Sequence, residues 1–377
     1  MNIKINKIEG NFDGFGYSTA LGDVNGDGIN ELIVSSPNDA NGATIKIYST
    51  QSNKLIKSIL VSKKKVNTIR ILTADINLDK VEEIIVAITY QDLSGEVKII
   101  SLKDNKVIRR FKSLQDYDAF GFSIAIGDVN GDHIPDIVVG APQPIKGGKG
   151  KVYVFSGENG ELIREFNSRI PRGSSDFGTS LACADINQDG LAEIIIGAPG
   201  LPHGEVYVYS VMQGWLLYKL TGEPGFGVAL HVDDINNDGI NELIVTTKNL
   251  KGNKVSLYHG PYFRHLFDIK NEEVDIGFGE VIATSDINGD GIKELILGAF
   301  DSHHQRQRFT GQVNVYSSEN GELLHRWYGK NTKEQFGFSL TTGKLSSNSY
   351  DSVIIGAPKE MLKKNGLLYI VSLAPED

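Results

Sequence analysis

Short apolar runs recur along this chain in one fixed order, separated by polar turns. Each unit opens on Phe-Gly and an alternating run: Phe15-Gly16, Phe120-Gly121, Phe177-Gly178, Phe226-Gly227, Phe278-Gly279 and Phe336-Gly337. An acidic turn follows. Next comes a run apolar at nearly every position, such as ELIVSSP from Glu31, DIVVGAP from Asp136, EIIIGAP from Glu193 or VIIGAP from Val353. A glycine then introduces a third run, as in GKVYVFS from Gly150, GEVYVYS from Gly204 and GQVNVYS from Gly311. A turn and a fourth run complete the unit, for example NGELIREF from Asn159 and NGELLHRW from Asn320. Alternation and enrichment in β-branched and aromatic residues mark all four runs as strands. No segment has a convincing helical period, so the predicted class is all-β.

The acidic turns start about fifty residues apart, so one supersecondary unit is repeated along the chain. Four antiparallel strands per unit, repeated radially, predict a β-propeller whose stacked sheets cover one another's apolar faces. Repeats start near residues 15, 66, 120, 177, 226, 278 and 336. Residues 1–377 are therefore expected to form a single seven-bladed propeller of four-stranded antiparallel blades. The seventh repeat runs through Gly366–Ser372 and is followed by no fourth strand. Residues 1–8, MNIKINKI, have the pattern of that missing strand. They are expected to pair with the C-terminal blade and close the ring, which removes two exposed sheet edges.

The acidic turn carries the candidate chemistry. It reads DVNGDGINE from Asp23, DINLDKVEE from Asp75, DVNGDHIPD from Asp128, DINQDGLAE from Asp185, DINNDGINE from Asp234 and DINGDGIKE from Asp286. Calcium takes six to eight hard oxygen ligands at about 2.3–2.6 Å. Position 1 (Asp23, Asp75, Asp128, Asp185, Asp234, Asp286) and position 3 (Asn25, Asn77, Asn130, Asn187, Asn236, Asn288) supply side-chain oxygens, as does position 5 (Asp27, Asp79, Asp132, Asp189, Asp238, Asp290). Position 7 is aliphatic (Ile29, Val81, Ile134, Leu191, Ile240, Ile292), so it offers only its carbonyl and anchors the turn with its side chain. Position 9 (Glu31, Glu83, Asp136, Glu193, Glu242, Glu294) suits bidentate closure. Gly28, Gly190, Gly239 and Gly291 at position 6 permit a sharp left-handed turn. The other two turns place Lys80 and His133 there, and Lys80 adds a positive charge beside the ion. An EF-hand closes with a carboxylate at position 12, where these loops have Val34, Val86, Val139, Ile196, Val245 and Leu297. A seventh slot, GKLSSNSYD ending at Asp351, has lost nearly all of the ligands. Up to six Ca2+ ions are expected.

Asp, Asn and Gly also favour metal-free turns. That preference alone does not keep five spaced positions chemically alike in six divergent repeats. Magnesium usually retains several waters rather than entering a protein cage, and no paired His or Cys accompanies the turns to favour zinc or copper. The formal charge of −9 is largely unneutralised ligand. The ligand positions of the six turns hold three carboxylates each, eighteen in all, and six dications would bring the chain to +3. No basic stripe supports nucleic-acid binding, and no apolar run is long enough to span a bilayer. Cys183, the single cysteine, lies in an apolar run and reads as a small buried hydrophobe.

With Phe-Gly, acidic turn and Gly-Ala-Pro in sequence, the chain resembles the FG-GAP repeat family, and within it the seven-bladed propeller of integrin α subunits. Gly140-Ala141-Pro142, Gly197-Ala198-Pro199 and Gly356-Ala357-Pro358 match the second signature, while the second repeat reads Val66-Asn67 in place of Phe-Gly. The resemblance implies calcium in the loops between first and second strands, on the lower face, and partner binding on the opposite, upper face. Three loops there carry cationic side chains: His303, His304, Arg306 and Arg308; Lys146 and Lys149; Arg169 and Arg172. They are candidates for binding an anionic glycan or an acidic protein segment. The expected function is a calcium-binding adhesion or interaction module, monomeric, with calcium in a structural role. The alternatives are an accessory propeller of a hydrolase or lyase, or an inert scaffold. The remaining histidines are scattered singly, without nucleophile–base spacing, and no phosphate loop or nucleophile elbow occurs, so no catalytic residue is assigned. No secretory leader is visible at the start, yet turns of this open kind would fill at extracellular calcium levels, which favours a secreted or surface location.

Overall fold

The computed structural model describes residues 2–112, 115, 117–143, 148–168, 176–200, 202–250, 252–271, 277–304, 308–345, 350–359 and 365–374. Among these residues there are twenty-eight strands and no helix. They form seven four-stranded antiparallel blades, the architecture of a β-propeller. The fourth blade is representative: Ser180–Ala184, Glu193–Ala198, Glu205–Ser210 and Trp215–Thr221 pair in chain order.

Position within a blade sets the burial pattern. The second strands Asp136–Ala141, Glu193–Ala198, Glu242–Thr247 and Glu294–Ala299 are buried at every residue. The fourth strands, such as Arg264–Lys270, are mostly exposed or half-buried. A strand covered on both faces needs apolar side chains throughout, which is why the second runs lack the alternation of a one-sided sheet.

By compactness the chain divides into two units, 74–234 with 238–270, and 1–73 with 235–237 and 271–377. Inside the first, Val138, Val152 and Val154 of the third blade share a core with Ile194, Ile196 and Tyr207 of the fourth. Ile195, Val206 and Val208 then pack with Leu243 and Val245 of the fifth blade. The two signature motifs meet here. A Cβ on Gly197 would lie 2.1 Å from the carbonyl oxygen of Gly227, the glycine of the next blade's Phe-Gly pair. The Ser180 hydroxyl donates to that same oxygen at 2.7 Å. The glycines therefore recur because two backbones touch between blades, and any side chain would separate them.

In the second unit, strands Ser339–Gly343, Ser352–Ala357 and Asn365–Ala374 are completed by Asn2–Asp13, running from Asn2↔Ala374 to Glu9↔Leu367. The N-terminal segment thus supplies the fourth strand of the seventh blade, as its sequence pattern predicts. It continues past Ile8 to Asp13, which pairs with Asn38 of the first blade. The Ser339 hydroxyl donates to Gly16 O at 2.8 Å, repeating the contact seen between the fourth and fifth blades.

Candidate metal centre

Each acidic turn joins the first strand of a blade to the second, and backbone donors hold it open. In the first blade Asp23 Oδ1 accepts from Gly26 N–H (2.7 Å) and Asp23 Oδ2 from Gly28 N–H (2.8 Å). Asn25 Oδ1 accepts from Asp27 N–H (2.8 Å), and Asp27 Oδ1 from Ile29 N–H (2.9 Å). The sixth blade repeats this set: Gly289 and Gly291 N–H to Asp286, Asp290 N–H to Asn288, and Ile292 N–H to Asp290. The turn is self-templating, since its own short acidic side chains satisfy its backbone donors.

Position 6 is left-handed in all six turns, with φ of 82° at Gly28, 68° at Lys80 and 66° at His133. A Cβ at Gly28, Gly190, Gly239 or Gly291 would meet nothing within 4 Å, so backbone conformation and not crowding selects glycine there. Position 4 is left-handed as well, at Gly26, Leu78, Gly131, Gln188, Asn237 and Gly289. Sequence reasoning missed that requirement, because the residue types at position 4 are too mixed to reveal it.

Position 9 is the deepest group. Glu31, Glu83, Asp136, Glu193, Glu242 and Glu294 are all buried at the start of their second strands. The position-3 amide donates to this carboxylate, Asn25 Nδ2 to Glu31 Oε1 at 2.7 Å and Asn288 Nδ2 to Glu294 Oε1 at 2.7 Å. The position-2 N–H donates to its second oxygen in four blades, as from Ile186 to Glu193 Oε2 at 3.0 Å. In the first blade Val24 N–H instead bonds Gly22 O, and Glu31 Oε2 is buried without a hydrogen-bond partner. Burial, and next to it the charges of Asp27 and Asp23, push the Glu31 carboxyl up to about 7. Burial likewise raises Glu83, Glu193 and Glu294 to about 7 and Asp136 to about 6. These oxygens are held close against their mutual repulsion. Hard donors, a buried unsatisfied oxygen and uncompensated negative charge all fit a divalent oxygen-seeking cation.

Neighbouring turns are tied together. In the first unit, Ala192 N–H donates to Asp128 O (2.8 Å) and Asn241 Nδ2 to Asp185 O (2.9 Å). Two turns also have neighbours from the end of the third strand. In the second blade Lys103 Nζ bonds Asp79 Oδ2 at 2.7 Å, and this hydrogen bond holds the Asp79 carboxyl below its usual range. In the fifth, His259 Nδ1 lies 2.5 Å from Glu242 Oε1. Potential ligand atoms of Asp238, Glu242 and His259 all fall within 4.8 Å of one another. Neither neighbour is adjacent in sequence to its turn.

The seventh slot is rearranged. Ser352, one residue after Asp351, takes the place of the position-9 carboxylate, and its hydroxyl bonds Ser372 Oγ at 2.7 Å. Asp351 accepts instead from the Ser285 hydroxyl at 2.7 Å.

Of the candidate partner-binding residues, Lys146, Arg169, Arg172 and Arg306 lie outside the described residues. His303 Nδ1 accepts from Phe309 N–H (3.1 Å), and its ring packs edge-on to Phe309. The His304 ring stacks on Tyr328 with centroids 3.7 Å apart. Arg308 is exposed, and its carbonyl accepts from Lys333 N–H. Lys149 N–H donates to Gln143 Oε1 (3.3 Å). The two histidines thus face different aromatic partners. Cys183 is half-buried, and burial pushes its thiol well above the ordinary range, which makes it a poor nucleophile. Among the described residues no helix is long and apolar enough to cross a membrane.

The FG-GAP repeat profile matches residues 15–47, 120–155 and 177–209, the first, third and fourth blades. The chain is similar to Integrin alpha-5 of Xenopus laevis, 27% identical over 279 residues, covering 70% of this chain and 22% of that protein. It is 36% identical to Integrin alpha-3 of Cricetulus griseus over 132 residues, 33% of this chain and 13% of that one. The match therefore spans less than a quarter of the length of either relative. Among solved structures, an exotype rhamnogalacturonan lyase superposes with a TM-score of 0.57 over 98% of this chain and 72% of that one, at 14% identity, a likeness of fold. Its repeat signatures, its seven blades and its sequence relatives agree that this chain is a seven-bladed β-propeller that carries FG-GAP repeats and is similar to integrin α subunits.

Proposed function

We propose that this propeller is a calcium-stabilised module for binding another protein. The observation that carries the reading is the buried position-9 carboxylate, repeated six times beside Asp, Asn and Asp of the same turn. In the first, third, fourth, fifth and sixth blades, positions 1, 3, 5 and 9 would hold Ca2+ through side-chain oxygens and position 7 through its carbonyl. In the second blade, the Lys103 ammonium on Asp79 offsets part of the charge that an ion would neutralise, so five ions per chain are expected. Calcium replaces repulsion among buried carboxylates with coordination, and its role is structural. Similarity to integrin α subunits supports a protein partner; in this reading the chain engages it as a monomer, away from the calcium turns, with His303, His304 and Arg308 as candidate contacts.

Calorimetric titration of chelator-stripped protein is expected to give five calcium ions per chain. Uptake of none would remove the metal reading. Capture of protein partners in calcium, compared with chelator and with a glycan array, tests the second half. Binding to anionic glycans alone would move the partner class from protein to carbohydrate.

A further inference from the structure

The third strand of each blade ends opposite the position-9 residue, and that end is nearly invariant within the molecule. The register Glu31↔Ser49 is direct in the first blade. Ladders ending at Ile84↔Ile100, Ile137↔Phe155, Ile194↔Tyr209 and Leu295↔Tyr316 place Ser101, Ser156, Ser210 and Ser317 one step further, opposite Glu83, Asp136, Glu193 and Glu294. The seventh blade pairs Ser352 with Ser372. The fifth blade alone departs: Glu242 pairs with His259.

The exception alters the donor set. A serine hydroxyl is a hard oxygen, like the rest of the turn. An imidazole nitrogen is a softer donor that suits zinc, cobalt and nickel. His259 Nδ1 is 2.5 Å from the fully buried Glu242 Oε1, and the ring side chain is 24% exposed. Asp238 contributes an oxygen within the same 4.8 Å cluster. Two carboxylates and one imidazole are a donor set that zinc accepts, with remaining positions for the carbonyl of Ile240 or for water.

We infer that the fifth turn is a mixed nitrogen–oxygen site that binds a first-row divalent metal such as Zn2+ through Asp238, Glu242 and His259, unlike the all-oxygen turns of the other blades. This rests on the reading of the acidic turns as cation sites, and it gives one of them a different selectivity. Loading requires Nδ1 to present its lone pair to the metal.

The test compares the full-length, chelator-stripped protein with His259→Ser, which installs the residue present at this place in the other six blades. The wild type is expected to take up one Zn2+ per chain more tightly than any further equivalent. His259→Ser is expected to lose that tight site by about tenfold or more in affinity. Calcium stoichiometry should be the same in both proteins. X-ray absorption at the zinc edge should show an imidazole nitrogen at about 2.0–2.1 Å in the wild type and none in the variant. Zinc affinity unchanged by His259→Ser alongside normal calcium uptake would overturn the inference, as would the absence of a distinct tight site in the wild type. If neither protein takes up calcium, the general reading of the turns fails, while the zinc isotherm still decides this site on its own.

Discussion

The second and fifth blades use the same nine-residue turn, and each meets a different side chain from at or just beyond the end of its third strand. Asp75–Glu83 receives an ammonium group, Lys103 on Asp79, while Asp234–Glu242 receives an imidazole, His259 on Glu242. The frame of the turn is common to both: Asp79 N–H bonds Asn77 and Lys80 N–H bonds Asp75, just as Gly239 N–H bonds Asp234. Local sequence thus builds the cage, and a residue roughly twenty positions downstream sets its charge and softness. A cation already carried by the chain would compete with an added one, whereas a nitrogen donor would extend a ligand set.

This contrast can be tested at several scales. The largest expected effect is global. Saturating calcium should raise the melting temperature by about 10 °C or more over chelator at pH 7.5, because each ion bound only by the folded state contributes through mass action. Differential scanning calorimetry checks this, and coincident transitions would contradict a structural ion. Next, single turns should differ. Asp234→Ala should lower the calcium count by one and Asp75→Ala should leave it unchanged, measured by calorimetry or native mass spectrometry. Equal losses from both would erase the distinction drawn between the blades.

A pH effect of intermediate size should separate metal-free from loaded protein. Glu31, Glu83, Glu193 and Glu294 have carboxyls raised from 4.5 to about 7 in the fold, so folding favours their protonated forms. The stability they confer is complete below pH 4.5 and is lost as pH rises towards about 7. In chelator, urea midpoints should therefore fall across that interval. In calcium, which binds the ionised carboxylates, the fall should flatten or reverse. The smallest effect belongs to Lys103→Met, which removes the competing charge. It should strengthen calcium binding at the second turn by roughly threefold to tenfold and move the calcium count towards six. No change would show that Lys103 does not compete with an added ion.

The propeller was legible because its evidence repeats. One Phe-Gly or one Asp-rich turn is a weak signal, but recurrence in phase multiplies it, and the burial of Phe15, Phe120, Phe177 and Phe278 follows. The form of the turns was legible too, since the positions that hydrogen-bond one another lie within nine residues. His259 and Lys103 were not: His259 was one of the scattered histidines until strand register placed it opposite Glu242, and Lys103, in the turn after its third strand, reaches Asp79 only in the fold. The signal for His259 was present in the sequence as a recurring serine, Ser49, Ser101, Ser156, Ser210, Ser317 and Ser372, at the same place in the other six third strands. Recognising its meaning required knowing that this strand end faces position 9. In the seventh slot the alignment was off by a single residue: the slot was drawn to end at Asp351, yet the ladder gives that place to Ser352, and Asp351 bonds Ser285.

The sequence by itself determined the repeat, the strand order within a blade, the acidic cages and the use of residues near the N-terminus as the final strand. These depend on short-range chemistry and on periodicity, which a linear chain displays directly. Only the tertiary structure decided which side chain completes each cage and why the signature glycines recur. Those depend on register between strands and on backbones from adjacent blades meeting at Gly197 and Gly227, contacts that exist only once the sheets have stacked.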